Sequence, residues 1–378
     1  RLQMLRRTLL GCASALVLFA LTPDSQARTQ KPPLHGQNWV AITGKPLAAT
    51  AGARIFERGG NAVDAACAMI AATSTLWDTL SWGGETQALI YNPHTGKVIG
   101  VNALGVAPSG ATVEFFRQKG LKYPPEDGPL SAVTPGTPGG IMVMLAEFGT
   151  LSLAEVLAPA IALADGYPIE AETADRIEAT KAQLKQWPDS KRVMLPHPGA
   201  AREAPQAGEI FRQPDLAATL RKLVAAERTA LDAGKDRKSA ILAAYDRFYR
   251  GDIAADLVEA TRALGGLFTR ADLANWRVLL EEPVHVNYKG VEVYKLTTWV
   301  QGPAMLQALN ILEGFPIGEY GHNSSKTIHL VAEATRRVYA DRSEWLGDPG
   351  FVMVPQAGLT SKAYSAALRG GIDPTRAT

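Results

Sequence analysis

The densest run of chemically capable side chains lies between Leu330 and Pro355, LVAEATRRVYADRSEWLGDPGFVMVP. Glu333, Arg336, Arg337, Asp341, Arg342 and Glu344 crowd one part of it. Carboxylates and guanidiniums interleaved in this way either bind a charged ligand or pair with one another and face water. Charge on a helix is most often solvent-facing, so a half-buried helix with a salt-bridged face is the plainer reading. Other chemistries are not spelled out. The six histidines, His35, His94, His197, His285, His322 and His329, are scattered, without HExxH or paired-ligand spacing, so no metal site is expected. There is no GxxxxGK[ST] loop, no G-x-S-x-G elbow, and no single stretch offering a Ser-His-Asp set. Of the two cysteines, Cys12 and Cys67, the second lies in an alanine-rich run and reads as a small buried apolar residue rather than a nucleophile. The glycine cluster Ser81-Trp82-Gly83-Gly84-Glu85 reads as a tight turn that permits close backbone packing.

The elements that must carry these residues follow from periodicity. Leu330, Ala334, Val338 and Leu346 recur with a helical period after Ser324, a fitting N-cap. Pro349 and Gly350 stop that helix, and Phe351–Val354 reads as a short apolar strand. Upstream, Trp39–Thr43 reads as a short strand and Pro46–Arg58 as a helix ended by Gly59-Gly60. Asn61 caps Ala62–Leu76, with Asp64 at its third position; that helix is apolar on nearly every side and so belongs between layers. Thr86–Tyr91 and Lys97–Ala103 form a hairpin closed at Gly96. Ser152 and Glu155 make a capping box for Leu153–Asp165, and Thr269 with Asp272 starts another helix. Leu216–Ala226, Ala240–Tyr249 and Ile253–Leu264 are helical, and residues 188–213 read as a long surface excursion. Glu282–Tyr288 and Val291–Leu296 alternate with period two about Lys289-Gly290, a second hairpin.

At 378 residues, with 46% hydrophobic and 20% charged residues, the chain is long enough for a substantial core. Residues 1–27 have the form of a secretory signal: Arg6 and Arg7, an apolar run Leu9–Leu21 too short to span a bilayer comfortably, and a small-x-small ending at Ser25-Gln26-Ala27. The expected location is therefore periplasmic or secreted, with no stable membrane insertion. Leu9-Leu10-Gly11-Cys12 is like a lipid-attachment box but precedes most of the apolar run. Losing 1–27 removes three arginines and one aspartate and takes the formal charge from +2 to 0, which gives no reason to expect nucleic acid as partner. It also removes Cys12, leaving no internal disulfide.

Several runs, in order, resemble the large subunit of the gamma-glutamyltranspeptidase family. They are GGNAVDAACA at 59–68, Pro135-Gly136-Thr137-Pro138-Gly139-Gly140, Leu157-Ala158-Pro159-Ala160-Ile161, Gly166-Tyr167-Pro168-Ile169, Gly251-Asp252-Ile253-Ala254, Gly265-Gly266-Leu267-Phe268-Thr269, and Tyr339-Ala340-Asp341-Arg342 followed by Leu346-Gly347-Asp348-Pro349. The resemblance runs from about Gly36 to Ala377. It implies the four-layer αββα sandwich of N-terminal nucleophile hydrolases, an α+β fold, with 28–378 a single domain completed by a small subunit. It implies a precursor that cuts itself, so that the N-terminal threonine of the small subunit becomes the nucleophile and its own amine the base. That threonine would stand immediately after Thr378, so no catalytic residue is assigned within this chain; Thr378 as the nucleophile of an uncleaved precursor is the alternative. The implied partners are the chain's own small subunit, a small-molecule acyl donor, and water or an amine as acceptor. No cofactor is implied.

Two departures bear on substrate. In the family the strand before Ala-Pro carries an arginine that binds the substrate's alpha-carboxylate, an apt use of a bidentate guanidinium. Here Asn102–Pro108 reads NALGVAP, and that position falls on Leu104; the residue directly before Ala107-Pro108, an arginine in some relatives, is Val106. Either another residue holds the carboxylate or the substrate lacks one. The substrate-binding candidates of this stretch are Asn102, Leu104 and Val106. The family's Pro-Pro-Pro-Ser-Ser-Gly-Gly turn is replaced by Thr297-Thr298-Trp299-Val300-Gln301-Gly302-Pro303. The expected activity is hydrolysis or transfer of a gamma-glutamyl or related acyl group from glutathione-type substrates. The alternatives are a glutaryl-cephalosporin-acylase-like amidohydrolase and an inactive secreted homologue.

Overall fold

The structure, a computed structural model, describes residues 34–76 and 80–377. The signal reading of 1–27, Cys12 and Thr378 lie outside the described residues. Two compact units divide the chain, Arg1–Val40 and Ala41–Thr378. Of the first, residues 34–40 are described; they are exposed and form no regular element. The second holds everything that follows.

Its elements begin with helices α1 (Pro46–Glu57) and α2 (Ala62–Thr75), then strands β1 (Thr86–Asn92) and β2 (Lys97–Ala103) and helices α3 (Val113–Gln118), α4 (Thr137–Phe148) and α5 (Leu153–Asp165). Next come β3 (Tyr167–Pro168), α6 (Ala171–Ala179), α7 (Lys181–Leu184), α8 (Pro188–Met194), β4 (Ile210–Phe211), α9 (Pro214–Asp232), α10 (Arg237–Tyr249), α11 (Asp252–Ala263) and α12 (Arg270–Asn275). The last part holds β5 (Leu279–Glu281), β6 (Val284–Tyr288), β7 (Val291–Lys295), α13 (Gly302–Leu312), α14 (Ile317–Tyr320), α15 (Ser325–Trp345), α16 (Gln356–Leu359) and α17 (Lys362–Gly370).

The helix starts are built locally. Asn61, Ser152 and Thr269 each close a reciprocal capping box with Asp64, Glu155 and Asp272, three residues on. Ser324 caps α15 through the Thr327 N–H. Gly59, at φ 86°, takes the left-handed turn that ends α1. Lys289-Gly290, both at positive φ, turn β6 into β7.

The main core joins α2, α4, α5, α9 and α10 to the inner face of β2, with Val101, Ala103, Leu145, Leu157 and Tyr249 all buried. Alanines on α2 let neighbouring helices approach, which is why a helix of low amphipathicity sits in the middle. Cys67 is buried within this core beside the Ile141 carbonyl, and burial pushes its thiol pKa up, consistent with a packing role. A separate cluster joins α13 to α15 through Ala304, Ile311, Leu330, Ala334 and Val338. The central sheet has the antiparallel order β1-β2-β5, so β1 and β5 are its edges; β3–β4 and β6–β7 are separate pairs.

Two expectations fail, and a third is refined. Trp39–Thr43 forms no strand, and Val40 and Ile42 are exposed. Phe351–Val354 forms no strand either: the Phe351 and Val352 N–H groups both bond to the Asp348 carbonyl, at 3.0 Å each, which reverses the chain. Phe351 and Met353 stand 89% and 97% exposed, so an apolar run without a partner strand stays a loop. Residues 188–213 lie mostly at the surface, as expected, but they are anchored rather than unstructured. They contain α8 and β4, and Leu195, Ala204 and Phe211 are buried with Tyr167 and Ile177. The loop is pinned by the Glu178 carboxylate, which accepts the Glu203 and Ala204 N–H groups at 3.0 Å.

Candidate functional site

The site is assembled around the end of β2. The Asn102 side chain turns back to accept the Leu104 N–H at 3.1 Å, which shapes the strand's exit. The Leu104 carbonyl accepts the indole N–H of Trp276 at 2.9 Å. Trp276 is buried, its ring against Tyr249 at 4.8 Å. The Tyr249 hydroxyl donates to the Pro135 carbonyl at 2.5 Å and accepts the Gly139 N–H at 3.0 Å; burial keeps its pKa well above the ordinary tyrosine range, so it stays a donor.

Glycines bring the α4 turn onto the strand. The N–H groups of Gly136 and Thr137 both bond to the Gly84 carbonyl, at 2.7 and 2.9 Å. A Cβ at Gly136 would lie 2.0 Å from the Ala103 carbonyl oxygen, and one at Gly105 would lie 2.2 Å from that of Thr134. The glycine cluster at 83–84 and the Pro-Gly turn therefore serve backbone packing.

Two clefts flank this strand end. The larger, about 890 Å³, is bordered by Glu85, Leu104, Lys295, Trp299 and Arg342. The smaller, about 400 Å³, is bordered by Asn102, Leu104, Val106, Arg277, Leu279 and Trp299. All three sequence candidates, Asn102, Leu104 and Val106, thus share one cleft, and Leu104 and Trp299 stand between the two. The rewritten turn supplies Trp299, whose indole N–H donates to Glu281 on β5 at 2.8 Å; the Thr297 hydroxyl donates to the same carboxylate at 3.3 Å. In the larger cleft desolvation raises the Glu85 carboxyl above its ordinary value. Arg342 reaches it from α15, its guanidinium 5.3 Å from the Tyr339 ring centroid.

The charged run of α15 divides between two roles. Glu333 is buried and pairs with Arg337 at 2.8 Å. Asp341 accepts bonds from Gln307 of α13 at 2.5 Å and Tyr364 of α17 at 2.9 Å, tying three helices together. Much of this face is structural, as the plainer reading of the sequence holds, while Arg342 faces a cleft. Sequence reading singled out the turn that carries Trp299 but missed Arg277 and Lys295 as lining residues. It also missed β5, a strand of three residues, too short to carry a period.

The gamma-glutamyltranspeptidase family profile matches residues 48–378. The chain belongs to the gamma-glutamyltranspeptidase family. It is 30% identical to the glutathione hydrolase proenzyme of Pseudomonas sp. (strain A14), across 99% of this chain and 62% of that protein. It is 34% identical to the acylase ACY 1 proenzyme of Pseudomonas sp. (strain SE83), across 92% of this chain and 61% of that one. The crystal structure of Helicobacter pylori gamma-glutamyltranspeptidase superposes with a TM-score of 0.82 at 31% identity, covering 92% of this chain and 95% of that chain. The fold is thus the αββα architecture of N-terminal nucleophile hydrolases. The chain spans about three-fifths of the length of the curated relatives it matches. Among the described residues no helix is long and apolar enough to cross a membrane.

Proposed function

We propose that this chain is the large-subunit part of an exported, self-processing amidase or acyltransferase of the gamma-glutamyltranspeptidase type. In this reading a threonine that follows residue 378 is freed by self-cleavage. Its hydroxyl attacks the amide carbonyl of the donor, its own amine takes the proton, and the amine product leaves. Water or an acceptor amine then resolves the acyl-enzyme. The chain described here builds one wall of the acyl pocket rather than the attacking group.

The observation that carries the reading is that the strand end Asn102–Pro108, clamped by Trp276 and the Pro135–Gly140 turn, borders two clefts large enough for a small acyl donor. Likeness to a proenzyme named as an acylase supports a second reading, in which the acyl group is a glutaryl-like chain; its carboxylate sits where that of a gamma-glutamyl group would, so Leu104 does not distinguish the two. The test is to express the complete precursor and resolve it on a denaturing gel. Two bands, with threonine at the N-terminus of the smaller, and turnover of a gamma-glutamyl or glutaryl anilide are expected. A single uncut band inert on both substrates overturns the enzyme reading and leaves an inactive homologue.

A further inference from the structure

We infer that Arg277 is the carboxylate anchor of the acyl-donor cleft, supplying from the facing strand the guanidinium that position 104 lacks. The inference rests on the functional reading above.

Strand register brings the two positions together. Strands β2 and β5 pair antiparallel with Gly100 opposite Glu281, Val101 opposite Leu280 and Asn102 opposite Leu279. Carried two residues further, the same register sets Leu104 opposite Arg277. The stretches remain adjacent there, because the indole N–H of Trp276 donates to the Leu104 carbonyl at 2.9 Å. Directly opposed residues of an antiparallel pair point to the same face, with Cβ atoms about 5 Å apart. The cleft lining agrees: Asn102, Leu104 and Val106 border it from one side, and Arg277 and Leu279 from the other. The residues between them, Ala103 and Val278, do not. A guanidinium on position 277 therefore sweeps the volume that one on position 104 would reach.

Charge is consistent with this use. Arg277 is exposed, and among the described residues its guanidinium makes no hydrogen bond or ion pair. The two carboxylates that border the same cleft are otherwise engaged. Asp272 accepts from Thr269 and from the Ser109 N–H at 3.0 Å, and Asp348 accepts the Gly350 N–H at 2.8 Å. The cleft beside Arg277 is walled by apolar Leu104, Val106, Leu279 and Trp299, so an acyl chain bound there would present its carboxylate to a free guanidinium, whose fork suits a bidentate contact. The ligand class is an acyl donor bearing a free carboxylate, either the alpha-carboxylate of a gamma-glutamyl group or the distal one of a glutaryl group.

The test uses the complete precursor on three anilides: gamma-glutamyl, glutaryl and uncharged pentanoyl. Losing a charge-assisted contact of about 1.5–3 kcal/mol corresponds to about a 10- to 100-fold change. We expect Arg277→Gln to raise KM on the carboxylate-bearing anilides by that factor, with kcat little changed and the pentanoyl anilide unaffected. Arg277→Lys should retain part of the preference, and whichever of the two carboxylate substrates responds more identifies the donor. Unchanged KM in Arg277→Gln overturns the inference. So does an equal fall on all three anilides, wild-type turnover confined to the pentanoyl anilide, or a loss of carboxylate preference in Arg342→Gln but not in Arg277→Gln. A wild-type precursor inert on all three removes the functional reading and this inference with it; turnover with an unresponsive Arg277 removes the inference alone.

Discussion

A single carboxylate accounts for much of the run at 59–68. Asp64 is fully buried, and its two oxygens accept the N–H groups of Asn61, Thr150 and Leu151 and the Thr150 hydroxyl, at 2.7 to 3.2 Å. It joins the start of α2 to the turn between α4 and α5, and Gly149 is small enough to pass it, since a Cβ there would lie 2.5 Å from its oxygen. Asp64→Ala leaves three backbone donors without an acceptor in the core. Each costs about 1–3 kcal/mol, so a loss of about 3–5 kcal/mol is expected after partial relaxation, read from urea unfolding midpoints. Asp64→Asn keeps one carbonyl oxygen and should cost less; equal stability of Asp64→Ala and the natural chain would refute this role. The capping partners at 61, 152 and 269 were legible in the sequence because each bond closes within three residues. The acceptor role toward Thr150 and Leu151 was not, because those residues lie far along the chain.

The loop between α8 and β4 shows the same contrast for a whole element. Its prolines and polar residues read as surface and most of it is exposed, yet its middle is held down because Glu178 on α6 supplies an acceptor for two of its N–H groups and pairs with Lys181. The lysine and those N–H groups hold the Glu178 carboxyl down to about 2. A lowered folded-state value means that the stabilisation is present above the unfolded value of about 4.3 and is lost as pH falls toward about 2. Thermal midpoints at pH 6 and pH 3 should therefore differ more in the natural chain than in Glu178→Gln. An identical pH dependence in the two proteins would rule out this anchor. By the same logic the misread strand at Phe351–Val354 is a composition without a partner, and β5 is a partner without a composition.

For the molecule as a whole, the open edges of the central sheet matter most. β1 and β5 are both edge strands, with Leu89 and Tyr91 exposed on one and Leu279 and Leu280 on the other. Exposed apolar edge strands template pairing with other chains. Residues 28–378 produced alone should aggregate, whereas the complete precursor should stay monodisperse by size-exclusion chromatography. A monomeric, concentration-independent peak from 28–378 alone would show that these edges need no cover. The αββα architecture itself was legible from motif order. The narrowness of the sheet in this chain was not, because strand pairing is a relation between distant segments and leaves no local period.

The order of residues by itself determined the helix starts, the two hairpins, the family, and the absence of an arginine at position 104. Each of these is written in neighbouring residues or in short runs. Only the tertiary structure decided that Leu104 and Arg277 border one cleft, that Trp299 of the altered turn walls it, and that Leu195, Ala204 and Phe211 anchor the 188–213 excursion in a buried cluster. Those outcomes depend on which distant backbones pair, and on which glycines let them come close enough to do so.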